Sequence, residues 1–84
     1  MYEVFLEHRA EKDISKIDDA LHRRIIKDIA VLKNDPRPAG CRKITGTQNA
    51  WRIRVGDYRI IYEIDERGKT VFVMRVRHRR EAYR

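Results

Sequence analysis

Residues 50–64, Ala-Trp-Arg-Ile-Arg-Val-Gly-Asp-Tyr-Arg-Ile-Ile-Tyr-Glu-Ile, constrain the fold more than any other part of the chain. Apolar and polar residues alternate on both sides of Gly56-Asp57, the period of half-buried strands. Glycine at the first position of a two-residue loop supplies the positive φ of a type II′ turn, so the stretch reads as a β-hairpin. Folding it about that turn sets Val55 against Tyr58, Arg54 against Arg59, Ile53 against Ile60 and Trp51 against Tyr62. Arg54 and Arg59 are then like charges directly across a sheet, which destabilises it. At a separation of roughly 5 Å in water the repulsion is about 0.8 kcal/mol, and it grows as the site dries. Either the two guanidinium groups fan apart into solvent or toward carboxylates, or they are held ready for an anion.

The rest of the chain supplies what such a hairpin must pack against. Residues 2–7 read as a short edge strand, with Phe5 out of step with Tyr2, Val4 and Leu6. Residues 9–17 place Ala10, Ile14 and Ile17 on one helical face, and Asp18 or Asp19 caps a longer helix with Leu21, Ile25, Ile29 and Leu32 as its apolar stripe. The two helices are expected to form an antiparallel pair. Pro36, Pro38 and Gly40 stop the second helix. A short strand at residues 42–44, the hairpin, a turn at residues 65–69 and a last strand at residues 70–77 follow.

Pairing Ile64 with Thr70 across that second turn sets Phe72 against Tyr62, Met74 against Ile60 and Val76 against Tyr58 as the core face. The other face then collects Arg52, Arg54, Arg59, Arg75 and Arg77 around Ile61 and Val73. The expected class is α+β: an N-terminal β strand, a two-helix pair, then a three- to four-stranded antiparallel meander. Trp51, Tyr58 and Tyr62 fall on the core face, so packing is their expected role.

Charge and length narrow the partners. Eighty-four residues, 42% apolar, fill one two-layer core, so residues 1–84 are expected to be a single domain. Residues 1–40 carry 8 Lys and Arg against 8 Asp and Glu, while residues 41–84 carry 12 against 5. The whole +7 surplus therefore lies in the strand-rich half, and ten of its twelve cations are arginine, the side chain suited to bidentate binding of phosphate and carboxylate. Such a surface expects nucleic acid or an acidic protein. The start, Met1-Tyr2-Glu3-Val4-Phe5, has no basic lead or long apolar run, and no window resembles a membrane span, so a cytoplasmic protein without membrane contact is expected. Cys41 is the single cysteine and has no Cys or His neighbours at zinc-ligand spacing. A free thiol, with no metal and no cofactor, is expected.

The order of elements, together with Lys43-Ile44-Thr45-Gly46, Trp51-Arg52-Ile53-Arg54-Val55, Gly56-Asp57-Tyr58-Arg59-Ile60-Ile61-Tyr62 and Val76-Arg77-His78-Arg79-Arg80-Glu81-Ala82-Tyr83, resembles the RelE/ParE superfamily of toxins, closest to its RelE branch. The resemblance covers nearly the whole chain, and the Gly-Asp-Tyr-Arg hairpin and the His-Arg-Arg-Glu-Ala-Tyr ending are its most specific pieces. It implies the RelE-like microbial RNase fold and the toxin of a type II toxin-antitoxin system, which enters the ribosomal A site and cleaves mRNA there.

Carried over by motif, the resemblance assigns catalytic roles to Arg52, Arg54, Arg59, Arg79 and Tyr83. Arg77 or Arg80 takes the place of Arg79 if the tail aligns one residue away. Lys43, Arg75, Arg77, His78 and Arg80 are the expected substrate-binding residues. Family members often carry lysines where Arg52 and Arg54 stand, and an arginine is no general base at neutral pH. Tyr83, with its pKa depressed by surrounding cations, is the first choice of base and His78 the second, and either could be the acid for the leaving oxygen. The resemblance also implies a cognate acidic, RelB-like antitoxin, ribosome and mRNA as partners, and allows a toxin-antitoxin heterotetramer. The ParE branch of the resemblance implies an alternative, an inhibitor of DNA gyrase without nuclease activity, against which the His-Arg-Arg-Glu-Ala-Tyr ending argues, and the cationic face alone would suffice for a nonenzymatic RNA-binding module.

Overall fold

The protein, in a computed structural model describing residues 1–82, runs β1 (Glu3–Leu6), α1 (His8–Ser15), α2 (Asp19–Val31), β2 (Arg42–Lys43), β3 (Ala50–Val55), β4 (Tyr58–Asp65), β5 (Thr70–His78) and α3 (Arg79–Ala82). One five-stranded sheet has the order β1-β5-β4-β3-β2. The last four strands form the antiparallel meander expected from the sequence, and β1 joins its far edge parallel to β5. Asp18 is the cap that starts α2, its carboxylate accepting the Leu21 N–H at 3.2 Å.

The hairpin forms in the register that the alternation dictates, with Arg54 opposite Arg59. Gly56 takes φ +60° while Asp57 stays out of the left-handed region, the type II′ arrangement. Both helices lie on the face where Ile53, Val55, Ile60, Tyr62 and Ile64 point inward, and Ala10, Ile14, Ile25, Ile29 and Leu32 close the core from above. Each of the Ile, Val and Leu side chains among these contributes roughly 1.5–3 kcal/mol when fully buried.

The β4–β5 pairing corrects the expected register. Asp65 rather than Ile64 meets Thr70, so Ile64 faces Val71 and Tyr62 faces Val73. Val71 and Val73 are therefore buried, and Phe72 is exposed, stacked on Phe5 with ring centroids 6.1 Å apart. The turn explains the one-residue difference. Asp65 accepts the Gly68 N–H at 3.1 Å, and Lys69 takes φ +49°, closing a four-residue loop instead of five. Next, Ile61 pairs with Arg75, which leaves Met74 as an extra residue in a β-bulge. The bulge returns Val76 to the core and Arg75 and Arg77 to the outer face.

The loop between α2 and β2 is fixed from below. Tyr62, fully buried, donates its hydroxyl to the Pro36 carbonyl at 2.6 Å. The Arg37 guanidinium lies 4.9 Å from the centre of the Trp51 ring and pairs with Glu66, which also accepts the Tyr2 hydroxyl at 2.7 Å. Trp51 thus packs, as its place in the alternation implies. Among the described residues, no helix is long and apolar enough to cross a membrane.

Candidate nucleic-acid interface

The pleat sends alternate side chains to the face away from α1 and α2. Register then arranges them in rows across the sheet. Arg54, Arg59 and Arg77 form one row over β3, β4 and β5. Arg42, Arg52, Ile61 and Arg75 form the next. Neighbours within a row stand about 4.8 Å apart, and rows about 7 Å apart, by ordinary sheet geometry. Arg42, Arg52, Arg54 and Arg59, with Gly40 and Ile53, line a groove of about 270 Å³. No acidic side chain is among the described residues that line it. Concentrated like charge above a low-dielectric sheet focuses potential outward and draws in anions.

The arginines differ in how firmly the fold holds them. Arg54 is exposed, and its Nε donates to the Gly56 carbonyl at 2.9 Å. Arg59 and Arg77 are half-buried, with Arg59 Nη1 and Arg77 Nε shielded from solvent. Part of each fork is thereby set into the sheet surface, which restricts its rotamers before any ligand arrives.

The tail closes one end of this face. The Arg79 N–H donates to the Asp57 carbonyl at 2.7 Å, tying the start of α3 to the hairpin turn. His78 packs edge-on against Tyr58, with ring centroids 5.3 Å apart, and its Nδ1 accepts the Arg80 N–H at 3.2 Å. With Nδ1 accepting, the neutral ring carries its proton on Nε2. Asp57, His78, Arg79 and Arg80 line a second depression of about 520 Å³ beside the turn.

Two of the expected site residues, Lys43 and Arg75, stand elsewhere or are engaged otherwise. Lys43 pairs with Trp51 and so belongs to the helix side of the sheet, away from the arginine rows. Arg42, which sequence reasoning passed over, takes the outer position opposite Arg52. The alternation of Arg42 and Lys43 against Trp51 and Arg52 is the signal that would have found it. Arg75 stands on the outer side, but its Nε donates to Asp13 Oδ2 at 2.9 Å and its Nη2 to Oδ1 at 3.2 Å. Arg75 is thus committed to α1 rather than displayed with Arg54, Arg59 and Arg77. Tyr83 lies outside the described residues.

Two carboxyl groups are tuned by cations. For Asp13 burial pushes upward most strongly, but hydrogen bonds from Arg75 and the Val76 N–H, with the charges of Arg75 and Arg77, outweigh it and hold the carboxyl below its ordinary range. Hydrogen bonds from Tyr2 and Arg37 lower Glu66. Among the described residues, no group of three or more His, Cys, Asp or Glu side chains is placed to hold a metal ion.

Known proteins share this fold. A family model described as the ParE toxin of the type II toxin-antitoxin system parDE matches residues 4–83. Toxin RelG of Mycobacterium tuberculosis is 31% identical over 87 residues, spanning 99% of this chain and 97% of that protein. Toxin RelE3 of Methanocaldococcus jannaschii is 34% identical over 76 residues, spanning 86% of this chain and 84% of that protein. A chain of the archaeal RelE-RelB complex from Pyrococcus horikoshii superposes with a TM-score of 0.83 at 26% identity, covering 93% of this chain and 94% of its own. A chain of the RelB-RelE antitoxin-toxin complex from Methanococcus jannaschii gives 0.78 at 30% identity, covering 94% of each. The five-stranded sheet under two helices and the match over nearly every residue lead to one conclusion: the chain belongs to the RelE/ParE family of type II toxin-antitoxin toxins.

Proposed function

We propose that the chain is a ribosome-dependent endoribonuclease that cleaves mRNA in the A site. The observation that carries this reading is the row Arg54, Arg59 and Arg77 beside an arginine-lined groove. In the proposed reaction the 2′-oxygen of the upstream nucleotide attacks phosphorus in line. Its proton passes to a base, the P–O5′ bond breaks, and O5′ takes up a proton as it leaves. Negative charge builds on the two non-bridging oxygens, where Arg59 and the tail arginine Arg79 act, with Arg77 beside them.

Arg52, Arg54 and Arg42 hold flanking phosphates, and Arg80 adds to the same field from the tail. Arginine is the wrong group for the proton transfers. Tyr83 is proposed as base. His78 is the proposed acid for the leaving oxygen, a role that needs the imidazolium form and therefore release of the Arg80 N–H now accepted by its Nδ1. The groove has few groups able to read base edges, so the ribosome must supply much of the substrate positioning, and free RNA is cut poorly. Relatives crystallise with RelB-type antitoxins, and an acidic antitoxin covering the arginine rows is the proposed means of control.

The test is translation in vitro with added protein, followed by primer extension on the message. Breaks inside codons, absent with folded Arg59→Ala and Tyr83→Phe variants, support the nuclease. The family model carries the ParE name, so a gyrase assay runs in parallel. Intact message with inhibited gyrase establishes the ParE-like function instead, and RNA binding unchanged by Tyr83→Phe without any cleavage establishes a nonenzymatic binder.

A further inference from the structure

β1 ends at Leu6, opposite Val73, so β5 continues to His78 with one edge that β1 does not cover. An uncovered edge leaves backbone N–H groups without a ladder and invites slippage. Asp13, on α1, stands where the next strand residue would be. Its Oδ2 accepts the Val76 N–H at 2.9 Å, while both oxygens take the Arg75 guanidinium. The carboxylate side chain is only 16% exposed and that of Arg75 28%, so the contact is largely sheltered from water.

Its place along β5 gives the contact its meaning. The bulge at Met74 comes immediately before it. Continued without that bulge, the pairing Tyr62 with Val73 would set Ile60 against Arg75, Arg59 against Val76 and Tyr58 against Arg77. Both arginines would then point into the core and Val76 into solvent. The observed shift does the reverse, with Val76 buried and Arg77 opposite Arg59. Asp13 grips the first two residues after the shift, one through its side chain and one through its backbone. It also lies within the field of Arg77.

We propose that Asp13 is a positioning residue for the arginine row: by holding Arg75 and the Val76 N–H it locks β5 in its shifted register, fixing Arg77 opposite Arg59 and the tail against the hairpin turn. Asp13 touches no substrate. Its catalytic consequence rests on the nuclease reading above, whereas the locking itself does not.

Two measurements on the full chain separate these. The first is amide hydrogen exchange by NMR on wild type, Asp13→Ala and Asp13→Asn. Protection at Val76, Arg77 and Arg79 is expected to fall at least tenfold in Asp13→Ala while Arg54 and Ile60 in the hairpin stay as in wild type. Asp13→Asn, which keeps an oxygen for the Val76 N–H, is expected to fall between and serves if the alanine variant does not fold. The second is cleavage on programmed ribosomes. Asp13→Ala is expected to lower kcat at least tenfold with KM within about twofold, whereas Ile14→Val, a core change on the same helix, leaves kcat unchanged. Unaltered exchange at Val76 in either folded variant overturns the locking. A kcat loss shared equally by Ile14→Val overturns the positioning role. Wild-type protein that cuts no message refutes the nuclease reading, and the exchange result alone then decides whether Asp13 fixes the register.

Discussion

Replacing Tyr62 by Phe removes one oxygen from the centre of the molecule and leaves the ring to pack as before. Tyr62 is 0% exposed, and its hydroxyl is the donor to the Pro36 carbonyl at 2.6 Å. Pro36 is itself buried, so without the hydroxyl its carbonyl loses a sheltered donor. Leaving one buried acceptor unsatisfied costs about 1–3 kcal/mol, and with a sheltered, short bond about 2 kcal/mol is the expected loss. In a domain of this size each kcal/mol moves the thermal midpoint by roughly 4–8 °C, so Tyr62→Phe should melt about 8–16 °C lower. Urea unfolding should show the same loss as a lower midpoint with an unchanged slope.

A second signature belongs to the phenol alone. Burial pushes its pKa well above the ordinary value near 10, so the folded state keeps the proton that the unfolded chain releases. That contribution is fully present below about pH 10 and is lost as pH rises through the folded pKa. The gap between wild type and Tyr62→Phe should therefore narrow above pH 10. A variant within 0.5 kcal/mol of wild type by urea unfolding, with no narrowing in alkali, would refute the idea that this hydroxyl pins the loop delivering Gly40 and Arg42 to the groove.

The corrected register gives a paired test: Val73→Ala should cost about 2 kcal/mol in urea unfolding, and Phe72→Ser, at a 38% exposed position, less than about 1 kcal/mol. In acid, Asp13 sits below its unfolded value, so its contribution is present above about pH 4 and lost as pH falls through the lower folded pKa. Asp13→Asn should flatten that limb of the stability curve measured by urea titration from pH 5 to pH 2. Binding of a single-stranded RNA oligonucleotide should weaken with salt, and the slope of log K against log salt should be shallower by about 1.4 in the Arg52→Ala, Arg54→Ala double variant, if each releases one phosphate contact.

Local chemistry made the hairpin legible. Gly56 and strict alternation fix a two-residue turn, and the register of Arg54 with Arg59 follows with no freedom left. The stripes on α1 and α2 were equally readable, while the cap was legible only as Asp18 or Asp19, and the structure selects Asp18. The second turn was not, because its length depends on Asp65 folding back onto the Gly68 N–H and on Lys69 accepting a positive φ, neither of which alternation reveals. Reading five loop residues instead of four moved Phe72 into the core and Val73 out. The Met74 bulge then reversed the faces, which is why Arg75 and Arg77 were placed on the correct side from an incorrect register. The bond from Asp13 to Arg75 spans 62 positions and joins a helix to a strand edge. No local pattern announces it, so alternation shows Arg75 as one more cation of the outer face and not its bond to α1. The faces of Arg42 and Lys43 were hidden for a simpler reason: a two-residue strand is too short for alternation to say which side chain points outward.

Single-turnover cleavage of message on programmed ribosomes, compared between wild type and a folded Arg59→Ala variant, tests the central claim most directly. Loss of one preorganised donor to the charge developing on phosphorus predicts a cleavage rate lower by about 10²–10³, with ribosome binding within a few-fold of wild type. Equal cleavage rates for the two proteins would contradict it.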